Sequence, residues 1–204
     1  MTEPQRTLEV EVKFDVEADV VVPDWSTVSG VASVTSGEHR TLDAVYFDTA
    51  EVELGRAGYA LRRRTGGHDA GWHIKGPRRG AGREELGWPL GDGPVDGPPE
   101  VVRAALAHVT EAELTPLARI RNDRVAYEML DAAGAVVAEF VDDHVRTRDE
   151  RAGVERNWRE WEVELGPAAP DDHEALFAEI ARIAHAAGAI EATSDSKLAR
   201  ALGV

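Results

Sequence analysis

The stretch LEVEVKFDV, Leu8 to Val16, alternates apolar Leu8, Val10, Val12, Phe14 and Val16 with charged Glu9, Glu11, Lys13 and Asp15. A period of two marks a β-strand with one oily face and one ionic face. The ionic face either meets bulk solvent, the ordinary fate of half an antiparallel sheet, or lines an interior that holds something charged. Later segments repeat the pattern. Arg62 and Arg64 share a face in YALRRR, His73 and Lys75 in WHIK, Arg119 and Arg121 in LARIR, Glu139 and Asp143 in AEFVDDHV, and Glu162 and Glu164 in EWEVEL.

Sorting by sign is the informative feature. A solvated sheet face usually mixes charges, because like charges directly opposite one another are unfavourable. Strands that are wholly basic beside strands that are wholly acidic suit a ligand needing both partners, such as a multiply charged phosphate bound with divalent cations. Arginine grips phosphoryl oxygens as a fork and lysine as a point charge. Carboxylates offer hard oxygen ligands to Mg²⁺ or Mn²⁺. Taken singly, each pair reads as a solvent-facing strand, so it is their coincidence that carries weight. His73 reads as a strand residue rather than a ligand, and Trp72, Trp88, Trp158 and Trp161 as core or rim residues.

Bulk properties narrow the class. A chain of 204 residues with 43% hydrophobic and 30% charged residues suits one soluble domain with a substantial core. The formal net charge of −15 opposes non-specific attraction to nucleic acid or to an anionic membrane. With no cysteine there are no disulfides and no thiolate metal sites, which fits a cytoplasmic protein. The opening MTEPQRTLEV has no basic start leading into an apolar run, and no long apolar segment follows.

Strand character recurs in 42–49, 59–65, 71–77, 82–90, 117–130, 135–148 and 157–166, with GGHDAG (66–71) as a hairpin connection. The stretch 23–37 suggests a poorly defined helix and a turn. The Gly- and Pro-rich loop 91–100 leads into a helix at VVRAALAHV and is the natural midpoint between two halves. A helix over DDHEALFAEIARIAHAAGA takes Asp171 or Asp172 as its cap and Gly188 as its stop. SDSKLARAL predicts a short final helix capped by Ser194, with Lys197 in its first turn. No Gly-rich phosphate loop of the P-loop kind is present.

These residues resemble the CYTH superfamily, the triphosphate tunnel metalloenzymes. Glu9-Val-Glu11-Val-Lys13 is similar to its ExExK signature. In order follow YFDT (46–49), LRRR (61–64), HIK ending at Lys75, RIR (119–121), an acidic strand ending at Asp143, EVE (162–164) and SK (196–197). The resemblance implies an α+β fold over 1–204: an eight-stranded antiparallel β-barrel forming a tunnel, with helices packed outside. It also implies that Lys13, Arg62, Arg64, Lys75, Arg119, Arg121 and Lys197 grip phosphate, joined by Arg83 and by Glu85 as a balancing charge. Glu9, Glu11, Asp143, Glu162 and Glu164 would hold Mg²⁺ or Mn²⁺, with Asp143 chosen over Asp142 because it is in phase with Glu139.

The activity so implied is attack of water on a terminal phosphoryl group, with Glu9, Glu11 and Lys13 at the catalytic centre. Inorganic triphosphate, cleaved to pyrophosphate and phosphate, is the expected substrate. Thiamine or nucleoside triphosphatases, class IV adenylyl cyclases and a non-catalytic polyphosphate binder are the alternatives. SKLARAL also resembles the point at which some relatives continue into a helical CHAD domain.

Overall fold

The computed structural model describes residues 3–80, 82–91, 97–194 and 196–204. Among these the strands are β1 (Gln5–Val16), β2 (Ser33–Val34), β3 (Glu38–Asp48), β4 (Ala60–Thr65), β5 (Gly71–Arg79), β6 (Gly82–Pro89), β7 (Thr115–Leu130), β8 (Val136–Asp149), β9 (Glu155–Leu165) and β10 (Ile190–Glu191). The helices are α1 (Glu53–Arg56), α2 (Glu100–Leu106), α3 (His173–Ala187) and α4 (Lys197–Leu202). Each long strand coincides with a segment of period-two alternation. In the stretch 23–37 the weak helical signal resolves into a single 3₁₀ turn, Trp25–Thr27, capped by Asp24, and the two-residue β2.

Eight strands pair in the order β1-β6-β5-β4-β3-β7-β8-β9, and β9 returns to β1. Every pairing is antiparallel, so the sheet closes into an eight-stranded barrel without free edges. Strands from both sides of the 91–100 loop join this one barrel, so the loop does not divide two halves; residues 92–96 within it lie outside the described residues.

The oily faces look outward. Phe14 and Val16 of β1, Val137 and Phe140 of β8, and Trp161 and Val163 of β9 meet Leu176, Ile180, Ile183 and Ala184 of α3 in the largest apolar cluster. Its aromatic centre packs Trp25 against Phe140 and Phe140 against Trp161 at centroid distances of 4.9 and 5.6 Å. A second cluster packs Leu54 of α1 and Val102 and Leu106 of α2 over Phe47, Leu61, Trp72, Ile74 and Trp88. With these two larger clusters placed outside the sheet, the protein can leave most of the barrel lumen to charge and water.

Asp172 caps α3 by accepting from the Ala175 N–H at 3.0 Å, and Gly188, with φ 107°, ends it. Asp172→Ala is expected to lower the stability of the fold by about 1 kcal/mol, read as a shift in denaturant midpoint with the tunnel's ligand binding unchanged. The final helix differs from expectation twice. Its cap is Ser196, which accepts from the Ala199 N–H at 3.1 Å, while the Ser194 hydroxyl donates to the Ser196 carbonyl. And α4 enters one end of the barrel instead of packing outside. Leu198 and Ala201 sit against Ala44, Tyr46, Ile120 and Val145, residues of the inner wall.

Candidate functional site

The barrel encloses a cavity of about 410 Å³ whose wall is built from inward-facing residues of β1, β3, β4, β5, β6, β7, β8 and β9, with α4 at its end. Glu9, Glu11 and Lys13 project from β1, Arg62 and Arg64 from β4, Lys75 from β5, Arg83 from β6, Glu162 and Glu164 from β9, and Lys197 from α4. Of the residues expected in the site, these ten share the cavity. The ionic face of Leu8–Val16 therefore faces an enclosed tunnel.

Three carboxylates gather along one wall. Glu11 lies directly across from Glu164 in the β1–β9 register. Glu9 accepts from Lys75 Nζ at 2.6 and 2.8 Å, and Glu11 accepts from Lys13 Nζ at 3.0 Å. Glu164 has no such partner among the described residues. Its carboxyl is open to tunnel water, yet desolvation by the wall, then Glu9 and Glu11, push it up to about 7.

A second acidic group lies deeper. Oxygens of Asp143, Glu160 and Glu162 fall within 4.8 Å of one another, compact enough to hold a metal ion. Here cations are already in place. Arg124 forks onto Asp143 with two contacts of 2.7 Å and reaches Glu162 at 3.1 Å. Lys197 Nζ lies 2.9 Å from Asp143, 2.5 Å from Glu160 and 2.8 Å from Glu162, and Lys13 also pairs with Glu162. Burial opposes ionisation of Glu162, but Lys13, Lys197 and Arg124 outweigh it and hold its carboxyl well below the usual range. Burial likewise opposes the charge on Lys197, and Asp143, Glu162 and Glu160 outweigh it. Both groups offer the hard oxygens that a divalent cation takes; the Glu9–Glu11–Glu164 wall is the one that keeps a carboxylate unpaired among the described residues, Glu164, beside Glu9 and Glu11 with one lysine partner each.

The opposite wall is basic. Glu85, 9% exposed at its side chain, sits 3.5 Å from Arg62, 3.4 Å from Lys75 and 2.6 Å from His73 Nδ1, so it balances the cradle without facing the metal wall. Arg83 donates to the Gly76 carbonyl at 2.5 Å and the Gly58 carbonyl at 3.0 Å. Arg64 is 7% exposed, and burial followed by Arg62 and Arg124 brings its guanidinium down to about 9. The Nε atoms of both Arg62 and Arg64 are buried without a hydrogen-bond partner. Stranded guanidinium donors are costly unless an anion meets them.

Two expected residues are elsewhere. Arg119 and Arg121 lie on the outer face of β7, where Arg119 forks onto Asp43 at 2.5 and 2.8 Å and Arg121 stands 3.4 Å from the same carboxylate. Their place on the inner wall is taken by Ile120, Asn122 and Arg124. Asp143 does point inward, whereas Asp142 turns outward to accept from Arg159 at 2.8 Å and from the Trp161 indole at 3.2 Å. Sequence reasoning passed over Arg124 and Glu160, and also Arg40, which lines the cavity and pairs with Glu38 and Glu139.

Residues 7–199 match the CYTH domain. Uncharacterized proteins from two strains of Mycobacterium tuberculosis are 38% identical over 210 residues, covering 98% of this chain and 41% of theirs. The chain thus spans about two fifths of the length of these curated relatives. Among solved structures, a Bacillus halodurans protein described as a "putative adenylate cyclase" superposes with a TM-score of 0.63 at 17% identity, covering 96% of this chain and 97% of its own. A Hippeastrum protein described as a "putative adenylyl cyclase" with a dominant triphosphatase activity superposes at 0.59 and 17% identity, covering 96% and 95%. The closed barrel, its charged lumen and the match along nearly all of the sequence lead to one conclusion: this chain belongs to the CYTH domain family.

Proposed function

We propose that the tunnel is the active site of a divalent-metal-dependent triphosphatase that hydrolyses inorganic triphosphate to pyrophosphate and phosphate. CYTH proteins are in general metal-dependent enzymes, and the Hippeastrum relative is described as a triphosphatase. The observation that carries the reading lies in this chain. Arg62 and buried Arg64, with unmatched Nε donors, face across the lumen from the Glu9–Glu11–Glu164 wall, where Glu9 and Glu11 each have one lysine partner and Glu164 has none among the described residues. A phosphate chain satisfies the first set and a divalent cation the second.

In this reading Arg62, Arg64, Arg124 and Lys75 bind and align the phosphate chain, and Arg83 supports the β5–β6 side of the cradle. The work is positioning and electrostatic stabilisation, which needs no covalent intermediate. Glu9, Glu11 and Glu164 would hold Mg²⁺ or Mn²⁺, which when bound offsets phosphoryl charge and favours ionisation of water. Lys13 ties Glu11 to Glu162 and so fixes the metal wall against the deeper acidic group. Among the described lining residues the only aromatic rings are Tyr46 and His68, and Tyr46 is 7% exposed. The lumen therefore presents no broad platform for a nucleobase or a thiazolium ring, which favours an inorganic substrate.

Phosphate release from triphosphate, ATP, thiamine triphosphate and long-chain polyphosphate, each with Mg²⁺, Mn²⁺ or chelator, tests this. Metal-dependent release that is fastest on triphosphate is expected. Cyclic AMP formed from ATP, or triphosphate bound tightly with no product, would overturn it in favour of a cyclase or a receptor.

A further inference from the structure

The hairpin Gly66–Gly71 between β4 and β5 rims the tunnel, and Gly67, His68 and Asp69 form part of its wall. It turns on Gly66 and Gly67, with φ of +79° and +73°. A Cβ at Gly66 would meet the Thr41 carbonyl oxygen at 2.0 Å. The hairpin is also tied to the floor of the cradle. His73, 5% exposed, donates from Nε2 to the Asp69 carbonyl at 2.9 Å, while its Nδ1 meets Glu85 at 2.6 Å. Both ring nitrogens therefore face acceptors, and the Asp69 backbone is held in register with the residues that position Arg62 and Lys75.

The side chain of Asp69 does something else. Its carboxylate forms an ion pair with Arg64. The partners are unequal: the Arg64 side chain is 9% exposed and that of Asp69 is 59% exposed. A carboxylate and a phosphoryl group compete for the same guanidinium fork. Because His73 holds the Asp69 backbone, the carboxylate can swing into solvent by side-chain rotation alone. Arg64 Nε stays unmatched even with Asp69 in place, so the carboxylate fills the anion site only in part.

We propose that Asp69 is a built-in competitor for the tunnel's anion site. Its carboxylate holds Arg64 while the tunnel is empty, yields to an arriving phosphate chain, and returns as product leaves. The inference rests on the reading of the tunnel as a phosphate site. It makes Asp69 a determinant of affinity and product release, and it favours multiply charged chains, which displace the carboxylate more readily than a single phosphate does.

Calorimetric titration of triphosphate in chelator, on the whole chain, provides the test. Asp69→Asn and Asp69→Ala are each expected to bind about tenfold tighter than the parent. Glu84→Gln, which removes one exposed negative charge paired with Arg6 and touches no cavity-lining residue, should change affinity by less than about twofold. In metal-supported turnover, Asp69→Asn should lower KM, lower kcat through slower release, and make pyrophosphate inhibit at about tenfold lower concentration. Parent-like or weaker binding by both Asp69 variants, or an equal gain in Glu84→Gln, would overturn this inference while leaving the phosphate reading of the tunnel intact. A parent protein that binds no triphosphate with or without metal would remove both.

Discussion

Arg124→Ala is expected to reduce triphosphate turnover about a hundredfold or more and to cost about 3 kcal/mol of stability, whereas Arg121→Ala should do neither. Three positions separate the two arginines in β7, but the barrel wall lies between them. Arg124 forks onto Asp143, whose side chain has no exposure, and reaches Glu162 beside it. Removing it leaves a buried carboxylate pair with Lys197 and Lys13 as the remaining cations. Breaking a buried pair from one side costs far more than the pair contributes, because the surviving charge stays desolvated. Arg121, 57% exposed at its side chain, shares Asp43 with Arg119, so its loss should fall within about 0.5 kcal/mol. Denaturant midpoints and phosphate release on the two variants check this, with Arg124→Lys expected to recover part of the stability because it restores the charge without the fork. Inactivation by Arg121→Ala with Arg124→Ala unaffected would reverse the assignment of the inner face.

That contrast also shows how far alternation in the sequence carries. Along β1 and β9 the two faces differ sharply: Glu9, Glu11 and Lys13 against Val10, Val12 and Phe14, and Glu160, Glu162 and Glu164 against Trp161, Val163 and Leu165. One face lies under helices and the other lines a wet lumen, so hydropathy alone assigns the phase. Along β7 the first half misleads, because Arg119 and Arg121 are charged yet outward, while inward Ile120 is apolar and packs with the α4 cluster. The second half holds the signal: Tyr127 and Met129 continue the odd-numbered face into the outer core, which places Arg124 and Glu128 inside. Phase drawn from the apolar end of the strand would have selected Arg124. The same rule separates Asp143 from Asp142, since Asp143 is in step with inward Glu139. What sequence could not convey is the insertion of α4 into the barrel end. A helix of six residues with Lys197 at its start has the same pattern whether it lies on a surface or fills a mouth, and the choice depends on the space left between Ala44, Tyr46, Ile120 and Val145.

Adding Mg²⁺ or Mn²⁺ to chelator-treated protein should raise its Tm, and the rise should be larger at pH 8 than at pH 5. Glu164 supplies the sign. Its carboxyl has an ordinary value of 4.5 and is pushed up to about 7 in the fold by desolvation, Glu9 and Glu11. Between these values the folded state binds a proton that the unfolded chain has released, so stability falls as pH rises through that window and the loss is complete above it. The side chain is open to tunnel water, which screens the effect and keeps it modest. A divalent cation on the Glu9–Glu11–Glu164 wall supplies the missing positive charge, displaces the proton and binds the folded state alone. At a hundredfold excess over Kd such binding contributes about 2.7 kcal/mol, or roughly 5–10 °C in Tm for a chain of this size. Protonation of Glu164 at pH 5 competes with the cation and should shrink the shift, and Glu164→Gln should weaken the metal response while flattening its pH dependence. An equal Tm rise at both pH values, unchanged in Glu164→Gln, would place the cation somewhere other than this wall, with the deeper Asp143–Glu160–Glu162 group the alternative to examine by Glu160→Gln.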